Sequence, residues 1–136
     1  MGLTQEERMA IVQFKIEKAN IAINQLEHLR QMQYWDLVAN RMYYAVYNAV
    51  SALAVSNQQT AQTHSGLIRI FGMHYVKEGL FTKEESRLYS RLFSLRQTGD
   101  YGDQFFLEEE DVAPLIEPTK AFVRKTISLI ENDKER

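Results

Sequence analysis

Met9, Val12, Ile16, Ala19, Ile23 and Leu26 recur at alternating steps of three and four residues. That spacing lines one side of an α-helix and does not fit the two-residue alternation of a strand. The chain therefore opens with a long amphipathic helix that must bury one stripe against other elements. Thr4 and Glu7 form a capping-box pattern ahead of the stripe, so the spacing predicts a helix over about residues 4–32.

A second helix is predicted over about Trp35 to Val55. From Met42 it is apolar or small almost all round, which marks it as the most buried helix. No Asp, Glu, Lys or Arg occurs from Met42 to Ile68. Asn48 and Ser51 interrupt its apolar part and the polar run "SNQQTAQTHSG" follows, so a core helix and a loop fit better than a membrane span. A third helix is expected from about His64 to Glu78, stopped by Gly79. Thr82 and Glu85 make a second capping box. The fourth helix carries Leu88, Leu92 and Leu95 with Tyr89 and Phe93, and Gly99 is its natural stop. "YGDQFFLEEED" reads as a loop leading into an acidic first turn. The last helix carries Leu115, Ile116, Phe122, Val123, Ile127 and Ile130. Pro114 and Pro118 cannot both sit in its first turn, so its start should be distorted or kinked. The expected architecture is all-α, an up-down four-helix-type bundle of four to five helices in one domain over residues 1–136.

Sixteen Lys and Arg against eighteen Asp and Glu give a net charge of −2. This argues against a non-specific basic nucleic-acid binder and leaves room for a local basic patch. The absence of cysteine excludes disulfides, thiol nucleophiles and thiolate metal sites, and fits a cytoplasmic protein. "MGLTQEERMAIV" carries charge too early for a secretory leader. A di-iron bundle needs Glu-x-x-His, but Gln25, Ala61 and Phe71 stand three before His28, His64 and His74. There is no Gly-rich phosphate loop and no basic recognition helix. No metal and no cofactor is expected.

What remains are charges in apolar settings. Leu37, Arg41, Tyr44 and Asn48 share a helical spacing, so Arg41 must be paired or line a wet cleft. Leu88, Leu92 and Arg96 are spaced i, i+4, i+8, which continues the inward face to Arg96, with Asp100 and Tyr101 close behind. In one reading Arg41 or Arg96 pairs with Asp100, fastening the second helix to the fourth, and Tyr101 packs over the join. In the other a guanidinium is held at a cleft to grip a phosphate. The two are compatible, since Asp100 can orient an arginine that serves a ligand. His64 reads as a turn residue near a cap, His74 as structural and His28 as solvated. Arg87 and Arg91 form a solvated stripe balanced by Glu84 and Glu85. Tyr43, Tyr44 and Tyr47 read as core or as a dimer interface.

"RMYYAVYNAVSAL", "THSGLIRIF", "YVKEGLF" and "LRQTGDYGD" occur in that order. Together they resemble the HEPN family (higher eukaryotes and prokaryotes nucleotide-binding domain), in its small stand-alone prokaryotic branch with an Arg-x-x-x-Asp-Tyr element. The resemblance spans nearly the whole chain. It implies a helical bundle, usually a homodimer, that associates with nucleotides or RNA. It also implies a place beside a minimal nucleotidyltransferase in a toxin–antitoxin pair. Active relatives are metal-independent endoribonucleases whose arginine holds the scissile phosphate, with a histidine after four to six intervening residues handling the 2′-hydroxyl proton. By position the arginine is Arg96, and Tyr101 stands where the histidine would be. Tyrosine, a phenol with a reference pKa of about 10, is a poorer base at neutral pH than imidazole. The resemblance implies a catalytic set of Arg96, Asp100 and Tyr101, and the expected ligand-binding set is Arg41, Tyr44 and Arg96. The alternatives are an endoribonuclease toxin, or a non-catalytic dimer whose motif only fastens helices.

Overall fold

The computed structural model describes residues 2–101 and 106–134. Helix α1 runs Gln5–Gln31, α2 Trp35–Ser56, α3 His64–Ile70, α4 Lys83–Tyr101, α5 Glu109–Val112 and α6 Ile116–Lys134. No strand occurs among the described residues. The Thr4–Glu7 and Thr82–Glu85 capping boxes both form, each residue pair satisfying two otherwise unpaired backbone N–H groups. The alternating stripe of α1 is the face it buries, through Val12, Ile16, Ala19 and Leu26.

Helix α2 is the central element, packing against α1, α4 and α6. Gln25 meets Arg41, which runs α1 antiparallel to α2. Asn40 meets Asp100 while Tyr43 stacks on Phe93, so α4 is also antiparallel to α2. Glu85 pairs with Lys125 at 2.8 Å, and Tyr89 meets the Phe122 ring, which reverses α6 against α4. The four long helices thus alternate up and down. Their core is aromatic at its centre: Phe71 contacts Tyr75, Phe81, Tyr89 and Phe122, with ring centroids 4.8–6.2 Å apart.

Two local departures from expectation have physical causes. The third helix is not uniformly α: after Ile70 it widens into a π-helical turn over Phe71–Val76, with the Lys77 N–H bonded to the Gly72 carbonyl at 3.2 Å. Leu67, Phe71 and Tyr75 are all buried. At i, i+4 spacing an α-helix would drift about 40° per step, and the wider turn keeps all three facing the core. Gly79, at φ +85°, then ends it in a Schellman motif, Leu80 N–H bonding Tyr75 O and Gly79 N–H bonding Val76 O.

Gly99 does not stop α4, which continues to Tyr101. Its missing side chain serves close packing instead: a Cβ there would lie 3.2 Å from Leu107 Cδ1 and 3.4 Å from Asp36 Cα. Of the expected loop after α4, residues 102–105 lie outside the described residues. The two prolines divide the last helix as anticipated. Helix α5 makes one turn, Ala113–Leu115 form a 3₁₀ turn around Pro114, and Pro118 falls in the first turn of α6, where its missing N–H costs little.

Candidate functional site

Arg96 lies one turn from the end of α4, and its side chain is 13% exposed. Its Nε donates to Asp100 Oδ2 at 3.0 Å, the i, i+4 partner on the same helix. Its Nη2 donates to the Tyr101 hydroxyl at 3.3 Å. The guanidinium carbon lies 5.2 Å from the Tyr44 ring centre and 5.5 Å from those of Tyr43 and Tyr101. Three tyrosine faces therefore surround one cation, an arrangement that attracts it electrostatically. Nη1 has no hydrogen-bond partner among the described residues. Tyr101 is itself 69% exposed, so it covers Arg96 from the solvent side rather than packing into the core.

Asn40, which the sequence reading passed over, joins this group to α2. Its Nδ2 donates to Asp100 Oδ2 at 3.1 Å. Its Oδ1 accepts from Arg41 Nη2 at 2.7 Å and Nε at 3.1 Å. The contact that crosses from α2 to α4 is therefore made by Asn40, not by an arginine: Arg96 holds the carboxylate from within α4, and Arg41 reaches it only through Asn40. Arg41 also lies over the Tyr44 ring at 5.5 Å. Arg41, Tyr44 and Arg96 are brought together, and so are Arg96, Asp100 and Tyr101. Arg96 alone contacts the Asp100 carboxylate, while Arg41 is held by the Asn40 and Gln25 amide oxygens.

The face proposed for α2 needs correction. Asn48 is buried and donates to the Tyr44 carbonyl at 2.9 Å, while Leu37 is half exposed, so neither completes the cluster. The polar stripe instead steps through Asn40, Tyr44, Tyr47 and Ser51, also at helical spacing. That pattern was present in the sequence, hidden among the charge-free apolar residues of α2.

His64 also needs correction. It does begin α3, with Thr63 capping the helix, but it is not merely a turn residue. Its ring stacks on Tyr47 at 4.5 Å and Tyr43 at 5.6 Å and meets the Tyr44 edge at 6.0 Å. Its Nδ1 is 2.5 Å from the Tyr43 hydroxyl. Burial, and then the positive charge of Arg96, lower its pKa from the ordinary histidine range. Burial raises the Tyr43 phenol well above its usual range, against the opposing pull of Arg96, so Tyr43 keeps its proton. The Tyr43 hydroxyl and Nδ1 share one hydrogen bond, whose direction follows the imidazole tautomer. His28 is exposed, as expected. In the basic stripe Arg87 does approach Glu84, at 3.8 Å, but Glu85 is committed to its capping box and to Lys125.

A helical bundle with an arginine, an aspartate and a tyrosine gathered at the end of one helix is the pattern that the sequence resemblance implied. The HEPN domain model matches residues 12–130, and the chain belongs to that family. A "UPF0332 protein" of Thermotoga maritima is 32% identical, over 94% of this chain and 97% of its own. Two proteins of Methanocaldococcus jannaschii, named "Putative toxin MJ0142" and "Putative toxin MJ0605", are 26% and 30% identical; the matches cover 82% and 78% of this chain and 76% of each of theirs. No helix among the described residues is long and apolar enough to cross a membrane.

Proposed function

We propose that this chain is an RNA- or nucleotide-binding HEPN protein that holds a phosphate at Arg96 and acts as the toxin-side component of a prokaryotic two-protein module. The observation that carries this reading is the state of Arg96: fixed by Asp100, ringed by Tyr43, Tyr44 and Tyr101, and left with Nη1 unpartnered among the described residues. Guanidinium groups suit phosphate because their planar donors match its oxygens. Tyr44 and Tyr101 offer ring faces on which a base can stack. The names of the archaeal relatives support the toxin assignment. The partner is then a nucleotidyltransferase-type antitoxin, and the site of action the cytoplasm. Exposed Tyr34, Leu37, Tyr101 and Phe106 support a homodimer in which this end of the bundle is covered by a second copy. A thermal-shift screen with nucleotides and short RNAs tests the reading, because a ligand that binds only the folded state raises Tm. A rise of Tm in the wild type that disappears in Arg96→Ala supports it; no shift with any of them contradicts it.

A second reading, metal-independent RNA cleavage, is favoured by one observation. His64 places a neutral imidazole on the same Tyr43–Tyr44 platform as Arg96. In that reaction the 2′-oxygen attacks the phosphorus held at Arg96, His64 takes the hydroxyl proton at Nε2 in the tautomer whose Nδ1–H donates to the Tyr43 hydroxyl, and the 5′-oxygen leaves and is protonated by water. The products are a 2′,3′-cyclic phosphate and a 5′-hydroxyl. Cleavage in EDTA that is lost in both Arg96→Ala and His64→Ala supports this route over one that uses Asp100 and Tyr101.

A further inference from the structure

Beyond the aromatic cluster, the polar stripe of α2 continues to Ser51. There a cavity of about 160 Å³ opens between α1, α2 and the segment before α3, walled by Lys15, Tyr47, Ser51, Gln59, Thr60 and Thr63 among others. Lys15 is half-buried and forms no ion pair with any carboxylate among the described residues. Ser51 is only 9% exposed, and its hydroxyl has no hydrogen-bond partner among the described residues. An ammonium and a hydroxyl held against one small cavity without partners of their own ask for an anion with acceptor oxygens. The volume admits a phosphate group.

The cavity is continuous with the candidate site through Tyr47. This ring lines the cavity, stacks on His64 and lies 5.9 Å from Tyr44, over which Arg96 lies. Along α2, Arg41 and Ser51 are separated by about 15 Å of helix. A mononucleotide carries one phosphate and cannot fill both sites, whereas a strand can, with its bases against Tyr44 and Tyr47. Burial, and then Lys18, lower the Lys15 pKa, so a bound phosphate restores a charge balance that the free cavity lacks.

We infer that the Lys15–Ser51 cavity is a second phosphate subsite, and that the ligand of this protein is a single RNA strand rather than a mononucleotide. The inference rests on Arg96 being the first phosphate site. Its test compares UMP with a fluorescein-labelled uridine hexanucleotide on wild type, Lys15→Gln, Ser51→Ala and Arg96→Ala, each checked for a wild-type circular dichroism spectrum. Expected is a loss on the order of tenfold in hexanucleotide affinity for Lys15→Gln, as for one charge-assisted contact, with UMP binding unchanged. The dependence of log K on log salt should also flatten by about 0.7. Ser51→Ala should act in the same direction and keep the core packed. If the wild type binds neither ligand, the phosphate reading and this inference fall together. If Arg96→Ala abolishes hexanucleotide binding while Lys15→Gln and Ser51→Ala leave it intact, Arg96 stands and the second subsite is overturned.

Discussion

Asn40 on α2 donates a hydrogen bond to Asp100 on α4 at 3.1 Å, across 60 residues of sequence. The same side chain accepts from Arg41, so one amide sets the position of a carboxylate that in turn sets Arg96. The contact does structural and positioning work together. Arg96 cannot be aimed without the helices being tied.

That coupling can be measured. Melting Asn40→Ala, Asp100→Ala and the double variant should give single losses of about 1 kcal/mol each and an interaction energy of about 0.5–1.5 kcal/mol, as for residues in one network. Strictly additive losses would mean that the amide and the carboxylate act independently.

His64 should titrate below the ordinary histidine value of about 6.5. Following its imidazole protons by NMR gives the midpoint directly, and Arg96→Gln should raise it, because one of the two forces that depress it is then gone. The sign for stability follows by linkage. With the folded-state pKa depressed, the unfolded chain takes up the proton first as pH falls below about 6.5. Stability is therefore full above that value and declines as pH drops toward the folded-state pKa. His64→Phe should remove this part of the pH dependence. An unchanged slope would show that the imidazole is not buried among the tyrosines.

Gly99 sits inside α4 where a Cβ would touch Leu107 and the Asp36 backbone. Gly99→Val adds two methyl groups beyond that contact and should cost about 1–3 kcal/mol by overpacking, despite the better helix propensity. Chemical denaturation measures the loss. A variant as stable as wild type would show that the α4–Asp36–Leu107 contact yields freely.

Much of the fold was legible because it depends on repetition. The stripe of α1, both capping boxes and the proline pair each report local chemistry that tertiary packing had no reason to overturn. Gly99 and the Phe71–Val76 turn were misread for the opposite reason. A glycine at a helix end and a glycine at a close contact look alike in sequence, and a π-helical turn appears only when three buried side chains must share one face. The site was half legible. Arg96, Asp100 and Tyr101 are neighbours in sequence and so could be placed together. Asn40, His64 and Lys15 come from three other segments. Only the packing of α1, α3 and α4 around α2 brings them to the same stripe.

The proposed function stands on Arg96 gripping an RNA phosphate. Fluorescence anisotropy of a labelled uridine hexanucleotide, titrated in EDTA with wild type, Arg96→Lys and Arg96→Ala, tests it most directly. Wild type should bind saturably, Arg96→Ala should lose about tenfold or more in affinity, and Arg96→Lys should recover only part of it, since a point charge lacks the planar donors. Equal binding by all three variants, with their folds intact, would contradict it.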